Sequence, residues 1–375
     1  MNILITGGAG FIGQHTAKKL IEYDHNVYIL DCFSEQIHGK NNEKDLYGKI
    51  YKGDIRDKNS LEKVFSNDID VIYHFAAETG TGQSMYEISE YSDVNIQGTA
   101  FLLNYILEKK LTSRIKKIIV ASSRAIYGEG KYESPDHGIV YPESRKEDDM
   151  LKGEFENKCP LSQKKLILKA TDESSPFNPT SIYGLTKQVQ EQMVLMFARN
   201  SNIQAFALRY QNVYGPGQSL LNPYTGILAV FSNLARQNKE INVFEDGLES
   251  RDFVFIDDVV RANILCLNET NNFSGPLNIG TGKAVPVIKV ANTINNYFGD
   301  KSKINVSGMF RVGDIRHNKA DVANAHNEIG FKSEIDFDSG IKYFLDWTLT
   351  QEIPNNYGFK KSLDELSEKG LFKNK

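Results

Sequence analysis

Cysteine is scarce in this chain: three in 375 residues, Cys32, Cys159 and Cys266, an odd number and widely scattered. Such usage argues against a disulfide framework and for a reducing compartment, so a cytoplasmic location is expected. An excess of charge is also missing, since 44 Lys+Arg face 48 Asp+Glu for a formal net charge of −4. Nucleic-acid binding through phosphate neutralisation needs a basic surplus, and nucleic acid is therefore not an expected partner. No apolar run reaches the roughly 18 residues of a membrane span, and no polybasic segment stands out, so no membrane partner is expected either. The start, Met1-Asn-Ile-Leu-Ile-Thr6, breaks at once into glycines and lacks the basic-then-apolar pattern of a signal peptide. Repeats of solenoid period are absent as well.

What is present reads as alternating strands and helices. Asn2 to Thr6 is a short apolar run, Gly7-Gly-Ala-Gly-Phe-Ile-Gly13 opens a helical stretch over Gln14 to Tyr23, and Val27-Tyr-Ile-Leu30 is a second apolar run. This is a βαβ unit. Further strands are expected at Ile50 to Lys52, Val71 to Phe75, Lys117 to Ala121 and Ala205 to Arg209, with the longest helices at Val94 to Glu108 and Tyr183 to Asn200. The alternation predicts an α/β fold, a Rossmann-type doubly wound parallel sheet.

After Asn212 the elements shorten and turn signals multiply, as in Tyr214-Gly-Pro-Gly217, Asn222-Pro223 and Asp246-Gly247. A smaller, interleaved α/β substrate domain is expected there. The division predicted is residues 1–210 plus 252–270 for the cofactor, 211–251 plus 271–350 for the substrate, and a tail at 351–375 with one amphipathic stretch, Leu363 to Leu371. Residues 129–178 are polar, rich in proline and without a clear period, and read as a surface insertion.

Gly7, Gly10 and Gly13 form Gly-x-x-Gly-x-x-Gly between a strand and a helix, a turn that lets backbone N–H groups approach a pyrophosphate at a helix start. Asp31 ends the second strand, where a carboxylate accepts hydrogen bonds from a ribose and repels a 2′-phosphate. NAD is thus favoured over NADP, although His38 and Lys40 nearby soften the argument. Asp54 stands at the next strand end, either beside an adenine ring or as an N-cap or turn residue.

Tyr183-Gly-Leu-Thr-Lys187 sets a phenol and an ammonium four residues apart on one helix face. Tyrosine titrates near ~10 and needs neighbouring positive charge to act as a base at neutral pH. Ser123, in Val120-Ala-Ser-Ser-Arg-Ala-Ile-Tyr-Gly128, adds a hydroxyl at a strand's C-terminal end, where clefts of α/β sheets lie.

With these residues the sequence resembles the extended short-chain dehydrogenase/reductase family, in particular its nucleotide-sugar epimerases and dehydratases. Further matches are Leu208-Arg-Tyr-Gln-Asn-Val-Tyr-Gly-Pro216, Ser250-Arg-Asp-Phe-Val254 with Asp257-Asp258, Leu277-Asn-Ile-Gly280 and Arg311-Val-Gly-Asp314. The resemblance implies that Tyr183 is the general base and acid, that Lys187 binds the nicotinamide ribose and lowers the tyrosine pKa, and that Ser123 hydrogen-bonds the sugar. It extends the NAD site to Phe11, Ile12, Ile55, Phe75, Ala76, Ala77, Asn95 and Tyr210. It assigns Thr79, Arg124, Asn212, Arg251, Arg311 and Asp314 to a nucleotide-diphosphate sugar. Arginine forks suit a diphosphate, so a mildly acidic chain can still hold an anionic substrate.

Dehydratases of the family carry Thr-Asp-Glu where this chain has Ser123-Arg124-Ala125, so the extra acid and base of an elimination are missing. What remains is a 4-epimerase working through a transient 4-keto sugar. The stretches His74 to Glu87, Ser123 to Gly130 and Tyr214 to Gly226 resemble dTDP-L-rhamnose 4-epimerases, which implies a dTDP-6-deoxyhexose. Two alternatives stay open: an NAD(P)H-dependent nucleotide 4-keto-6-deoxysugar reductase using the same residues, and a non-catalytic NAD-binding scaffold.

In relatives of that subgroup the 129–178 stretch resembles a cysteine knuckle. Here Cys159-Pro-Leu-Ser162 keeps one sulfur, with Asp136-His137 upstream, and no metal is expected. His15 and His74 are read as packing or hydrogen-bonding residues, and Trp347 as a core or interface residue. By resemblance, the helices at Val94 to Glu108 and Tyr183 to Asn200 form the contact of a homodimer.

Overall fold

The computed structural model describes every residue except 40–45, 221, 223–225, 354–357 and 375, so Lys40 and part of the Tyr214 to Gly226 motif lie outside the described residues. Seven strands, β1 (Asn2–Thr6), β2 (Asn26–Asp31), β3 (Lys49–Lys52), β4 (Val71–His74), β5 (Lys117–Ser123), β6 (Gln204–Tyr210) and β7 (Gly275–Ile279), form the main sheet. Their order is β7-β6-β5-β4-β1-β2-β3, and every neighbouring pair is parallel. From β1 the strands are added first toward β3 and then, from β4, toward the other edge, so β1 and β4 form the switch point beyond whose C-terminal ends a crevice lies.

Alternation along a strand explains how one sheet carries two cores. Ile3 and Ile5 pack on one face with Ala17 and Leu20 of α1 (Phe11–Glu22) and Val259 and Ala262 of α4 (Ile256–Leu265). Leu4 points to the other, with Leu102 and Ile106 of α2 (Gly98–Glu108) and Val194 and Ala198 of α3 (Ile182–Asn200). The helix expected from Val94 is continuous with α2 but begins as a π-helical turn at Asp93–Gln97.

A second layer of strands, Asn212–Tyr214, Ser250–Phe255 and Ala284–Pro286, extends past the C-terminal ends of the sheet and packs with helices Ile227–Arg236, Val287–Tyr297 and Phe337–Leu349. Its core is aromatic, around Tyr214, Phe253, Phe255, Phe337 and Phe344, and Trp347 packs beside Phe344 with ring centres 5.8 Å apart. The boundaries differ from expectation: residues 252–255 pair within the second layer, and Ala325, Ile329 and Phe331 pack into the main-sheet core. Gly275–Ile279 pairs with β6 in the main sheet, because Leu277 and Ile279 are apolar on the face that α1 and α4 cover.

The 129–178 stretch also departs from a surface loop. It holds a three-stranded antiparallel sheet, Gly138–Val140, Tyr132–Ser134 and Ile167–Leu168, and a short helix, Glu147–Leu151. Part of its polarity goes into buried ion pairs, while residues 135–139 and several charged side chains stay exposed. Arg145 and Arg316, both buried, converge on Glu245 at 2.8 Å each, and Arg316 reaches Glu156 at 2.6 Å. Cys159 is fully buried beside Tyr132 and Leu166, and Asp136 pairs with Lys164 at 2.9 Å. Among the described residues no helix is long and apolar enough to cross a membrane.

Candidate active site

The crevice deepens into one continuous cleft of about 800 Å³ running from the glycine turn to the second layer. Its floor at one end is the turn after β1. Gly7 has φ +67°, and a Cβ there would stand 2.6 Å from the backbone nitrogen of Ala76; one on Gly13 would stand 2.6 Å from the Cα of Gly8. Only glycine fits at both positions. Gly10 caps α1 with no side chain, which leaves the first N–H groups of the helix turned to the cleft, as a pyrophosphate requires.

Asp31 closes this end. Its Oδ2 accepts from Ala9 N and its Oδ1 from Phe33 N, both at 2.9 Å, and His38 Nε2 lies 3.5 Å from Oδ1. Asp54 accepts three hydrogen bonds from Arg56, one through the backbone and two through the guanidinium. Burial raises its pKa, yet those bonds outweigh it and hold the carboxyl below its ordinary value. The N-cap of the following helix is Asp57, not Asp54, since Asp57 accepts from Asn59 N and Ser60 N. Glycine turn, uncapped helix and acidic strand end together form a cradle that fits NAD.

Ser123 ends β5 and Tyr183 opens the first turn of α3, whose N-cap Ser181 accepts from Gly184 N at 3.1 Å. Both side chains line the cleft, with Ser123 close enough to favour the ionised phenol, and Ser123 Oγ accepts from Ala125 N at 3.1 Å. Enclosure by the cleft walls raises the Tyr183 phenol above its ordinary value, against the pull of Ser123 and of the Arg124 charge. One turn on, Lys187 is 2% exposed, its Nζ donates to Gln190 Oε1, and burial pushes it down to about 7. Arg124 sits between the hydroxyl pair and the second layer. Burial, then the charge of Arg251, push its guanidinium down to about 10.

Every residue expected in the site lines this cleft except Asn95. Asn95 is fully buried behind it: its Oδ1 accepts from Glu78 N at 2.8 Å and its Nδ2 donates to Thr186 Oγ1 at 2.9 Å. It therefore ties the loop after β4 to α3, from within the π-helical turn, and is not a wall of the cleft. Thr79 is a wall, held through its carbonyl by Tyr91 OH at 2.7 Å. Arg251 donates to the carbonyls of Ser250, Ile315 and Arg316 at 2.8–3.0 Å, and Arg311 pairs with Asp314 at 2.8 Å. The carboxylate of Asp314 is thus spent on an arginine.

His74 and His15 do structural work. His74 takes Thr6 Oγ1 at 2.7 Å and Thr99 Oγ1 at 2.9 Å, and burial drives it down to about 3. His15 bonds the Pro216 carbonyl at 2.9 Å and joins α1 to the second layer.

Sequence reasoning missed Gln211, Gln218, Phe244 and Glu249, all of which line the cleft. Gln211 Oε1, Gln218 Oε1 and Glu249 Oε2 are buried without a hydrogen-bond partner, as is Asn212 Oδ1. Four unsatisfied acceptors in one cleft call for a polar ligand. The signal for Phe244 and Glu249 was the turn Asp246-Gly247 between them, read for its backbone alone.

Comparison with known proteins agrees with this geometry. The model of the NAD dependent epimerase/dehydratase family matches residues 3–148 and 159–280. A dTDP-L-rhamnose 4-epimerase of Burkholderia thailandensis is 35% identical over 358 residues, covering 94% of this chain and 95% of that one. A UDP-N-acetyl-alpha-D-glucosaminuronate decarboxylase of Bacillus cytotoxicus is 30% identical, covering 94% and 98%. Among solved structures, the UDP-glucose 4-epimerase of Thermotoga maritima with UDP-glucose superimposes with a TM-score of 0.75 at 28% identity, over 93% of this chain and 99% of that one. MoeE5 in complex with UDP-glucuronic acid and NAD gives 0.73 at 26%, with the same coverage. The chain belongs to the NAD-dependent epimerase/dehydratase family and is an NAD-dependent epimerase.

Proposed function

We propose that the protein interconverts nucleotide-diphosphate sugars at C4 and that a dTDP-6-deoxyhexose is its substrate. The observation that carries the reaction is the Ser123–Tyr183 hydroxyl pair, set between the NAD cradle and the arginines of the second layer, with Arg124 and Ala125 where an elimination needs an acid and a base. Identity to the B. thailandensis rhamnose epimerase over nearly the whole chain supports the sugar.

In this reading the second layer binds the nucleotide diphosphate through Arg251 and Arg311, with Asp314 orienting Arg311 and Asn212 offering its free acceptor. Gly7, Gly10, Phe11, Ile12, Gly13, Asp31, Asp54, Ile55, Phe75, Ala76, Ala77, Lys187 and Tyr210 face NAD across the same cleft. The chemistry NAD supplies when bound is acceptance and return of a hydride. Tyr183 takes the proton of the C4 hydroxyl and Ser123 holds that hydroxyl and the phenol in line. Arg124 supplies positive charge against the developing phenolate, and Lys187, one turn along the helix, binds the nicotinamide ribose. The cleft leaves room for the 4-keto sugar to turn and present its other face, and Tyr183 returns the proton to the C4 oxygen.

The test is incubation with a panel of nucleotide sugars followed by NMR. Interconversion of C4 epimers, fastest with a dTDP-6-deoxyhexose, is expected. An unchanged C4 together with net NADH oxidation on a 4-keto sugar overturns it in favour of a reductase.

A further inference from the structure

Residues 358–374 contact two walls of the cleft from outside it. Helix α5 (Gly358–Glu368) seats Leu366, 3% exposed, within 3.7 Å of the space above Gly82, and Glu365 accepts from Tyr86 OH at 3.0 Å. That turn follows Thr79, Gly80 and Thr81, which line the cleft on the side of the main sheet. The chain then reverses at Gly370 and pairs Phe372 with Arg311 in a short antiparallel ladder, while Leu371 O accepts from Val312 N at 2.9 Å. Phe372 packs on Phe244 with ring centres 5.1 Å apart, and the guanidinium carbon of Arg311 lies over the Phe244 ring, 5.5 Å from its centre. Phe244 and Arg311 are cleft walls on the side of the second layer. Lys373 adds an ion pair to Glu147 of the 129–178 stretch.

One short segment thus holds both walls at once. We propose that α5 and the strand after it form a strap that completes the nucleotide-sugar site, with Phe372 positioning Phe244 and Arg311, and Leu366 positioning the turn after Thr79. The physical reason is preorganisation. An arginine stacked on a ring and fixed by a ladder loses less freedom on gripping a diphosphate than one on a free loop. Among the described residues its contacts are with the turn at Gly82, with Tyr86, Phe244, Arg311, Val312 and Glu147, none of them in the glycine turn, so it serves the sugar nucleotide and not NAD. This inference rests on the proposed substrate class, but its test does not rest on turnover.

The experiment compares the full-length protein with Phe372→Ala, Phe372→Tyr, Leu366→Ala and the exposed control Lys369→Ala. Binding of dTDP, UDP and NAD is measured by calorimetry, and KM and kcat on any epimerised sugar. Phe372→Ala is expected to weaken the better-bound nucleoside diphosphate about tenfold, and Leu366→Ala to raise KM more than it lowers kcat, with NAD affinity unchanged. Phe372→Tyr, which keeps the ring, restores binding. Unchanged nucleotide affinity in Phe372→Ala, or a parallel loss of NAD affinity and thermal stability, overturns the strap. Wild-type protein that binds neither dTDP nor UDP also overturns it. Protein that binds a nucleotide yet epimerises no sugar overturns the reaction proposed above and leaves the strap to be judged by calorimetry.

Discussion

The backbone N–H of Tyr183 donates to Oγ of Ser84 at 3.0 Å, and that hydroxyl in turn donates to the Thr81 carbonyl at 2.7 Å. Ser84 is fully buried. The helix that carries the phenol therefore starts on the turn that follows the cleft-lining residues Thr79, Gly80 and Thr81, so the phenol and that wall keep a fixed distance. Four chain segments meet here: β5 through Ser123, α3 through Tyr183, the turn at Ser84, and the strap through Leu366.

This arrangement separates chemistry from placement. Tyr183→Phe keeps the backbone bond to Ser84 and removes only the proton carrier; kcat is expected to fall about 10²–10⁴-fold with NAD affinity retained. Ser84→Ala keeps the phenol and removes its seat, costing on the order of 1 kcal/mol in stability. Steady-state kinetics beside denaturant unfolding checks both, and a Tyr183→Phe enzyme with unimpaired turnover would sink the assignment of the base.

His74 makes stability depend on acid. In the folded chain burial holds it near 3, against 6.5 when unfolded. Between those values the unfolded state binds the extra proton, so folding free energy contributed by this residue is present above pH 6.5 and is lost as pH falls toward 3. The slope is at most about 1.4 kcal/mol per pH unit. Unfolding curves at pH 7 and pH 5 are expected to diverge more for wild type than for His74→Asn. Equal divergence would show that His74 is not the group responsible.

Two glycines of the turn predict different failures. A methyl on Gly13 meets backbone atoms of Gly8 at 2.6 and 2.7 Å, so Gly13→Ala is expected to destabilise the fold by roughly 1–3 kcal/mol. A methyl on Gly10 meets nothing of the protein closer than the Gly7 carbonyl at 3.3 Å, so Gly10→Ala leaves stability nearly intact and weakens NAD. Thermal melts with and without NAD separate the two; equal melting losses in both variants would contradict the packing argument.

Much of this was legible in the sequence where a local pattern fixes the geometry. Asn2 to Leu30 reads as strand, glycine turn, helix and strand because each signal is contained within a few residues. Tyr183 and Lys187 share a face because a helix repeats every 3.6 residues. What stayed hidden depends on partners distant in sequence. Nothing near Asn95 says that it will hold Glu78 and Thr186, and Arg145 reads as a surface charge until Glu245, 100 residues later, is folded against it. Gly275–Ile279 looked like part of the second layer because turn-rich segments flank it, yet its apolar face belongs to the sheet. The amphipathic tail was visible, but its destination was not.

Homodimer formation is the remaining expectation, and the exposed faces of α2 and α3 bear on it. Phe101 is 42% exposed, Leu185 44% and Met196 63%, all on two helices packed side by side. Large apolar side chains grouped this way are costly in water and are covered when a second copy presents the same face across a two-fold axis, giving four helices in one contact. Phe101 and Met196 point away from the cleft, so charges placed there should break the contact without touching the site. Wild type is expected to scatter light as a dimer at micromolar concentration and the Phe101→Glu, Met196→Glu double variant as a monomer. A wild type already monomeric, or a double variant that stays dimeric, places the contact elsewhere or removes it.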